Sequence, residues 1–138
     1  MTVKLIKIIK NKIIKNKKGN VIKYISKKNN FFKKFGEVYF NEVNFNKTKG
    51  WTLHKKNKCI IICILGKLKF EFIDNKFNKK VIFLESNTGK IIIIPPKIWF
   101  SFKSVKKKSI IANFIEQPHD DREISKENNI KNILSKSS

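Results

Sequence analysis

Two cysteines, two histidines, three prolines and a single arginine are all that 138 residues hold of those types. Each scarcity excludes something. Cys59 and Cys63 lie in "CIIICIL", a run expected to be a buried strand. Four residues of strand span roughly 13 Å, far beyond disulfide reach, so no internal bridge is expected and a reducing compartment fits. No apolar run approaches the ~20 residues of a membrane span. The opening "MTVKLIKIIKNK" alternates lysine with apolar residues and lacks the unbroken core of a signal peptide. The expectation is a soluble, cytoplasmic protein with no membrane partner. Acid is scarce too: 10 Asp and Glu against 32 Lys and Arg give a formal net charge of +22.

Such a charge ordinarily suggests nucleic acid or an acidic membrane, because clustered basic side chains release counterions from phosphate chains. Here lysine is spread from Lys4 to Lys136, with no basic block longer than "KKK" at 106–108. Proteins that read nucleic acid favour arginine, whose planar fork makes two-point contacts to guanine edges and phosphates. Arg122 stands alone. The abundance of Lys, Asn, Ile and Phe reads as a codon bias toward A and T, and no specific nucleic-acid partner is expected. A rival reading rests on "FFKKFGEVYF", where aromatics interleave with lysine: a barrel that stacks single-stranded bases on Phe31, Phe32 and Phe35.

What the chain has in quantity is short apolar segments punctuated by Gly and Asn, among them "VKLIKII", "NVIKYI", "GEVYFNEVNF", "KLKFEFID" and "SIIANFI". Leu68, Phe70 and Phe72 alternate with Lys67, Lys69 and Glu71, the period-two pattern of a half-buried strand. Segments recurring about every ten residues with turn signals between them predict an all-β, mostly antiparallel sandwich or barrel of one domain. Only Ile124, Ile130, Ile133 and Leu134 have a helix-like spacing. The chain therefore divides into a barrel over 1–124 and a short helix or tail over 125–138, with the final "SKSS" expected to be disordered.

"GKIIIIPPKIWFSF", residues 89–102, is the most informative stretch besides "KGWTLHKK" at 49–56. Pro95 and Pro96 cannot donate to a ladder, so they end one strand and turn the chain into another near Ile98. Strand, proline turn and strand resemble the second conserved segment of the cupin barrels, with Gly89 and Pro95 at the family's spacing. The resemblance implies a jelly-roll, a double-stranded β-helix. The metal chemistry of the cupins is missing: their histidine position reads Phe100, and "HKKNK" lacks the paired histidines and glutamate of their first segment. One histidine with lysine neighbours cannot hold a divalent cation, so no metal site and no cofactor is expected.

The metal-free branch of these barrels is a closer match. "KGWTLHKK", "GKLKF" and "IPPKIW" occur in family order and resemble the sugar-nucleotide epimerases and ketoisomerases related to dTDP-4-dehydrorhamnose 3,5-epimerase. The similarity runs over roughly residues 19–124. "IPP", one residue and "IW" are shared with the dTDP-4-keto-6-deoxyglucose 3,4-ketoisomerases, the WxcM-like branch. Residue by residue, the resemblance implies that His54 is the base. Lys49 stands where an arginine contacts the nucleotide's diphosphate, keeping the charge but losing the two-point geometry. Tyr39 matches a ketoisomerase tyrosine on the preceding strand, and faces inward if Val38 and Phe40 face outward. The ketoisomerases' first histidine is Thr52 here, and the epimerases' tyrosine acid is replaced by Asn113 or Phe114.

The chemistry explains why so little is required. In a 4-keto sugar the protons on C3 and C5 flank a carbonyl, so removing one gives an enolate that needs neither metal nor redox cofactor to be reprotonated. Imidazole, with an ordinary pKa near ~6.5, is a suitable base, and general acid–base help is worth roughly 10²–10⁴ in rate. The enolate oxygen needs a positive or hydrogen-bonding partner, for which Lys49, Lys55 and Thr52 are candidates. Trp51 and Trp99 are candidates to stack on a base or sugar, with core packing as the duller alternative. Glu42 is a candidate inward carboxylate, and His119, Asp120 and Asp121 read as an acidic turn closing the barrel, with orientation of the catalytic site as the functional alternative. The function implied is epimerisation of a dTDP-4-keto-6-deoxyhexose in deoxysugar and polysaccharide synthesis. The alternatives are 3,4-ketone migration and a barrel that only binds sugar nucleotides. The family further implies a homodimer, with the N-terminal apolar stretch available for strand exchange.

Overall fold

The computed structural model describes residues 2–136. Its strands are β1 (Lys7–Lys10), β2 (Glu37–Val43), β3 (Thr48–His54), β4 (Cys59–Leu65), β5 (Lys67–Ile73), β6 (Lys79–Glu85), β7 (Lys90–Ile94), β8 (Trp99–Ser104), β9 (Ser109–Ile115) and β10 (Ile124–Lys126). One helix, α1 (Ile130–Lys136), and two short 3₁₀ turns, Val3–Leu5 and Asp121–Glu123, complete the described chain. Two five-stranded sheets run β1-β7-β4-β9-β2 and β10-β3-β8-β5-β6. The strand pairings are antiparallel throughout. This is the all-β barrel that the strand pattern predicts.

Alternation sets the facing surfaces. In β5, Leu68, Phe70 and Phe72 are fully buried between the sheets, and Phe70 lies 5.3 Å from Phe102 of β8, centroid to centroid. β4 does not alternate because both of its faces are covered. Cys59, Ile61 and Cys63 enter the main core, while Ile60 and Ile62 pack outward with Ile91 and Ile93 of β7 beneath Tyr24, Phe31 and Phe32. A strand buried on two sides reads as a continuous apolar run. Both cysteines are buried and free.

Three expectations for local structure are corrected. "NVIKYI" is no strand: the stretch holds one isolated bridge, Ile14 to Val21. The sheet beneath it has no edge to offer at that point, since β4 is already paired to β7 and β9. Tyr24 instead donates its hydroxyl to the carbonyls of Ile60 and Ala112 and pins the segment across the sheet. The same packing removes Phe31 and Phe32 from any row of stacking platforms for oligonucleotides, since both are half-buried in that layer. Ile124 belongs to a strand rather than a helix, because β3 leaves an edge that β10 fills, pairing Ile124 with His54. Ser135 and Lys136 of the "SKSS" ending lie in α1, and Ser137 and Ser138 fall outside the described residues.

The turn at Pro95 and Pro96 carries the chain from β7 in one sheet to β8 in the other, with Lys97 at φ 66° donating its N–H to the carbonyl of His54 at 2.7 Å. On β3, Gly50 has φ 105°, and a Cβ there would lie 2.7 Å from the carbonyl oxygen of Phe100. Only glycine fits that position without displacing backbone. The peptide between Gly50 and Trp51 is cis.

Candidate active site

Between the two sheets, where β2 and β9 of one face β3 and β8 of the other, lies a cavity of about 550 Å³. Its walls include Tyr39, Lys49, Trp51, Thr52, His54, Phe100 and Asn113, and residues of 119–128 close one side. The hairpin between β2 and β3 brings Asn41 and Lys49 together at one end, with the Lys49 ammonium donating to Asn41 Oδ1 at 2.6 Å. His54, at the far end of β3, and Glu37, at the start of β2, occupy the other end.

His54 is 4% exposed. Its ring lies 6.1 Å from that of Phe100 with planes 11° apart, so the residue at the cupin metal-histidine position serves here as an apolar neighbour to the imidazole. Nδ1 lies 3.0 Å from Glu123 Oε2. The other oxygen, Oε1, accepts the backbone N–H of Lys56 and of Asn57 at 2.9 and 2.8 Å. Burial pushes the Glu123 carboxyl up, but the Asn57 and Lys56 amides, helped by His54, hold it below the ordinary glutamate value. An ionised carboxylate on Nδ1 fixes the proton there and leaves the Nε2 lone pair as the basic position. It also stabilises the imidazolium that forms once Nε2 has taken a proton.

Glu123 is the residue the sequence does not reveal. "HDDRE" marks an acidic turn, but 69 positions separate Glu123 from His54, and only the pairing of β10 with β3 brings the two together. The turn itself is organised by Asp120, which accepts the N–H of Arg122 at 3.0 Å and pairs with its guanidinium.

Across the cavity, Tyr39 packs against the core while Val38 and Phe40 face outward, 39% and 67% exposed. Its hydroxyl accepts from Asn113 Nδ2 at 2.8 Å. With its oxygen so engaged, the phenolic proton is available to a ligand. Burial above all, with smaller contributions from Cys59 and from the Glu37 and Glu123 carboxylates, pushes the phenol up to about 12. It therefore remains protonated at neutral pH. Asn113 rather than Phe114 lines the cavity; Phe114 packs on the outer side of the sheet with Phe32. The Asn113 Oδ1 is buried with no hydrogen-bond partner among the described residues.

Of the other sequence-nominated residues, Lys49, Trp51 and Thr52 line the cavity, and Lys55 and Trp99 do not. Lys55 is exposed and lies 3.4 Å from the carbonyl of Arg122, because its neighbour His54 takes the inward side of the strand. Trp99 packs with Trp51, Ile73 and Ile133 beneath α1, a core role. Glu42 is turned outward to an ion pair with Lys108 at 3.4 Å. His119 lines the cavity and binds Asp121. Among the described residues, no three His, Cys, Asp or Glu side chains come together as metal ligands.

Comparison with known proteins gives the family and the fold. The family model described as FdtA: WxcM-like, C-terminal, matches residues 1–134. No curated protein matches the chain in sequence. Among solved structures, a dTDP sugar isomerase from Desulfovibrio desulfuricans G20 superposes with TM-score 0.85 at 21% identity, over 91% of this chain and 85% of that one. QdtA, a sugar 3,4-ketoisomerase from Thermoanaerobacterium thermosaccharolyticum solved with TDP, gives 0.81 at 20% over 99% and 96%. The dTDP-6-deoxy-D-glucose-3,5-epimerase RmlC from Legionella pneumophila, solved with dTDP-4-keto-L-rhamnose, gives 0.81 at 12% over 94% and 76%. The shared scaffold is the cupin-type jelly-roll barrel.

Proposed function

We propose that this chain, which belongs to the WxcM-like C-terminal family, is an isomerase of dTDP-linked 4-keto-6-deoxy sugars that moves the ketone from C4 to C3. The observation that carries the reading is the pair facing across one cavity: His54 backed by Glu123 on one sheet, and Tyr39 held by Asn113 on the other.

In the first step His54 Nε2 removes the proton from C3. The C–H electron pair becomes the C3=C4 bond, and the C4 carbonyl pair moves onto its oxygen. Tyr39 donates a hydrogen bond to that enolate oxygen from a part-buried position, where such a bond is stronger than in bulk water. Once the hydroxyl proton has passed from O3 to O4, the O3 pair forms the C3 carbonyl and C4 recovers the proton from the imidazolium. Bonds and charges balance with no oxidant or reductant. Lys49, at the opposite end of the cavity, has the charge and position for the diphosphate, and Trp51 and Thr52 form the wall between.

Asn113 favours ketone migration over 3,5-epimerisation. Resemblance to the epimerases implies a tyrosine acid at this place on β9, and an amide has no proton to give to a carbon. The family resemblance also supports a homodimer, which light scattering on the purified protein tests.

The functional test is proton and carbon NMR of dTDP-4-keto-6-deoxyglucose in D₂O with the purified protein. The expected result is a new 3-keto product with the C5 proton retained. Deuterium at C5 with inverted configuration would make the chain a 3,5-epimerase, and tight nucleotide-sugar binding without exchange would make it a binding protein.

A further inference from the structure

Both histidines of the chain line the same cavity, and each is bound to a carboxylate. His54 holds Glu123 at 3.0 Å through Nδ1, and His119 holds Asp121 at 2.7 Å through Nε2. A single connection, residues 116–123 between β9 and β10, supplies the carboxylate of the first pair and the whole of the second. The His119 backbone N–H also donates to Glu37 Oε1 at 2.9 Å. Glu37 opens β2 and pairs with Ile115, two positions from the register partners Tyr39 and Asn113. His119 is thereby tied to the end of the cavity that holds His54 and Tyr39, away from Lys49 and Asn41. Unlike His54, its ring is 44% exposed and borders the mouth.

We infer that His119 is a second proton-transfer group of this site, moving the oxygen-bound proton of the sugar while His54 moves the carbon-bound one. The inference rests on the ketone-migration reading above. That reaction needs two different proton movements, C3 to C4 and O3 to O4. The place where the resemblance puts a second histidine is Thr52, which does not titrate. With Nε2–H donated to Asp121, neutral His119 presents the Nδ1 lone pair, a more exposed counterpart of the His54 pair with the nitrogens exchanged. At the enolate stage Nδ1 accepts the proton from O3 and returns it to O4. Negative charge passes from O4 to O3, the C3 carbonyl closes, and His119 ends as it began. Asp121 stabilises the imidazolium formed in between. Glu37 anchors the loop through the backbone and leaves the ring free to act.

The test separates the two protons. In His119→Gln, wash-out of the C3 proton into D₂O should persist within a factor of about two, while formation of the 3-keto product falls roughly 10²-fold, the usual value of a general acid–base group. Migration at the unaltered rate would overturn the inference, and so would equal loss of exchange and migration with nucleotide binding intact. If the unaltered protein neither exchanges nor migrates, the functional reading has failed, and the position of His119 is judged independently. His54→Asn leaves His119 as the sole imidazole, whose Hε1 resonance can be followed by NMR. A shift with TDP-4-keto-6-deoxyglucose but not with TDP supports the placement. No shift with either, or the same shift with both, overturns it.

Discussion

At the residue scale the two oxygens of Glu123 serve different partners. Oε1 serves two backbone amides and Oε2 serves the imidazole, so Glu123→Gln can keep the first set and reverse the second. An amide NH₂ in place of Oε2 would donate to Nδ1 and push the proton to Nε2, the wrong tautomer for a base. The expected result is a folded protein with kcat lowered by roughly 10²–10⁴, measured as ketone migration. Tyr39 makes a spectroscopic prediction. The chain has two tyrosines, and burial raises both, Tyr39 to about 12. A folded value above the ordinary ~10 means that the neutral phenol's contribution to stability is complete below pH ~10 and is lost as pH rises toward 12. Phenolate absorbance should therefore stay flat through pH ~10 in the native protein and rise together with alkaline unfolding; early titration of one tyrosine would contradict the packing around it. The sign is opposite for Glu123 and Asp74. Burial opposes ionisation of Asp74, but the amides of Val3, Asn78 and Lys76 overcome it, so both carboxyls lie below their ordinary values. Their contribution is complete above pH ~4.5 and is lost as acid takes pH through the lowered values, which thermal melts between pH 2 and 6 would show.

At the scale of elements, the segment after β9 matters most. β10 pairs with β3, the Glu127 and Trp51 backbones exchange N–H to carbonyl bonds of 2.7 and 2.9 Å, and Ile133 of α1 is buried against Trp51 and Ile73. A seven-residue helix is marginal by itself, so its position is set by the burial of Ile133 rather than by propensity. Lys126 and Asn128 of this strap form part of the cavity wall. Ile133→Asp should release α1, raise KM for the nucleotide sugar several-fold and leave kcat within a factor of about three. Hydrogen exchange would show faster exchange of amides confined to 127–136. An equal fall in kcat would mean that the strap shapes the reacting end as well.

For the whole molecule, charge sets conditions that no single contact controls. A net +22 on 138 residues is self-repulsive, and the repulsion is relieved by salt. The melting temperature at neutral pH should rise as NaCl goes from 10 to 300 mM. Over the same range kcat/KM for a doubly charged diphosphate substrate should fall by roughly an order of magnitude, because steering is screened while chemistry is not. A flat salt response of kcat/KM would show that the dispersed lysines exert no collective field on the cavity mouth.

Much of the barrel can be read in one dimension because its causes are local. Period-two alternation in β5, the proline turn after β7 and the inward Tyr39 between outward Val38 and Phe40 follow from the two-residue repeat of a strand. His54 stands out as one of only two histidines, four positions after Gly50 in "KGWTLHKK". What the sequence leaves open depends on partners far along the chain. Choosing between Asn113 and Phe114 requires the register of β9 against β2, since a one-residue slip exchanges the faces. "NVIKYI" has strand composition but finds no free edge, and Ile124 has helical spacing but finds one. Lys55 and Trp99 lie next to site residues in sequence but are directed away from the cavity by the alternation that turns His54 and Phe100 toward it. By itself the sequence indicated most of the strands, their inward faces and His54 as the candidate base; tertiary structure alone decided the carboxylate beside His54 and the second imidazole in its cavity, because both arrive through a strand pairing that joins positions some 70 residues apart.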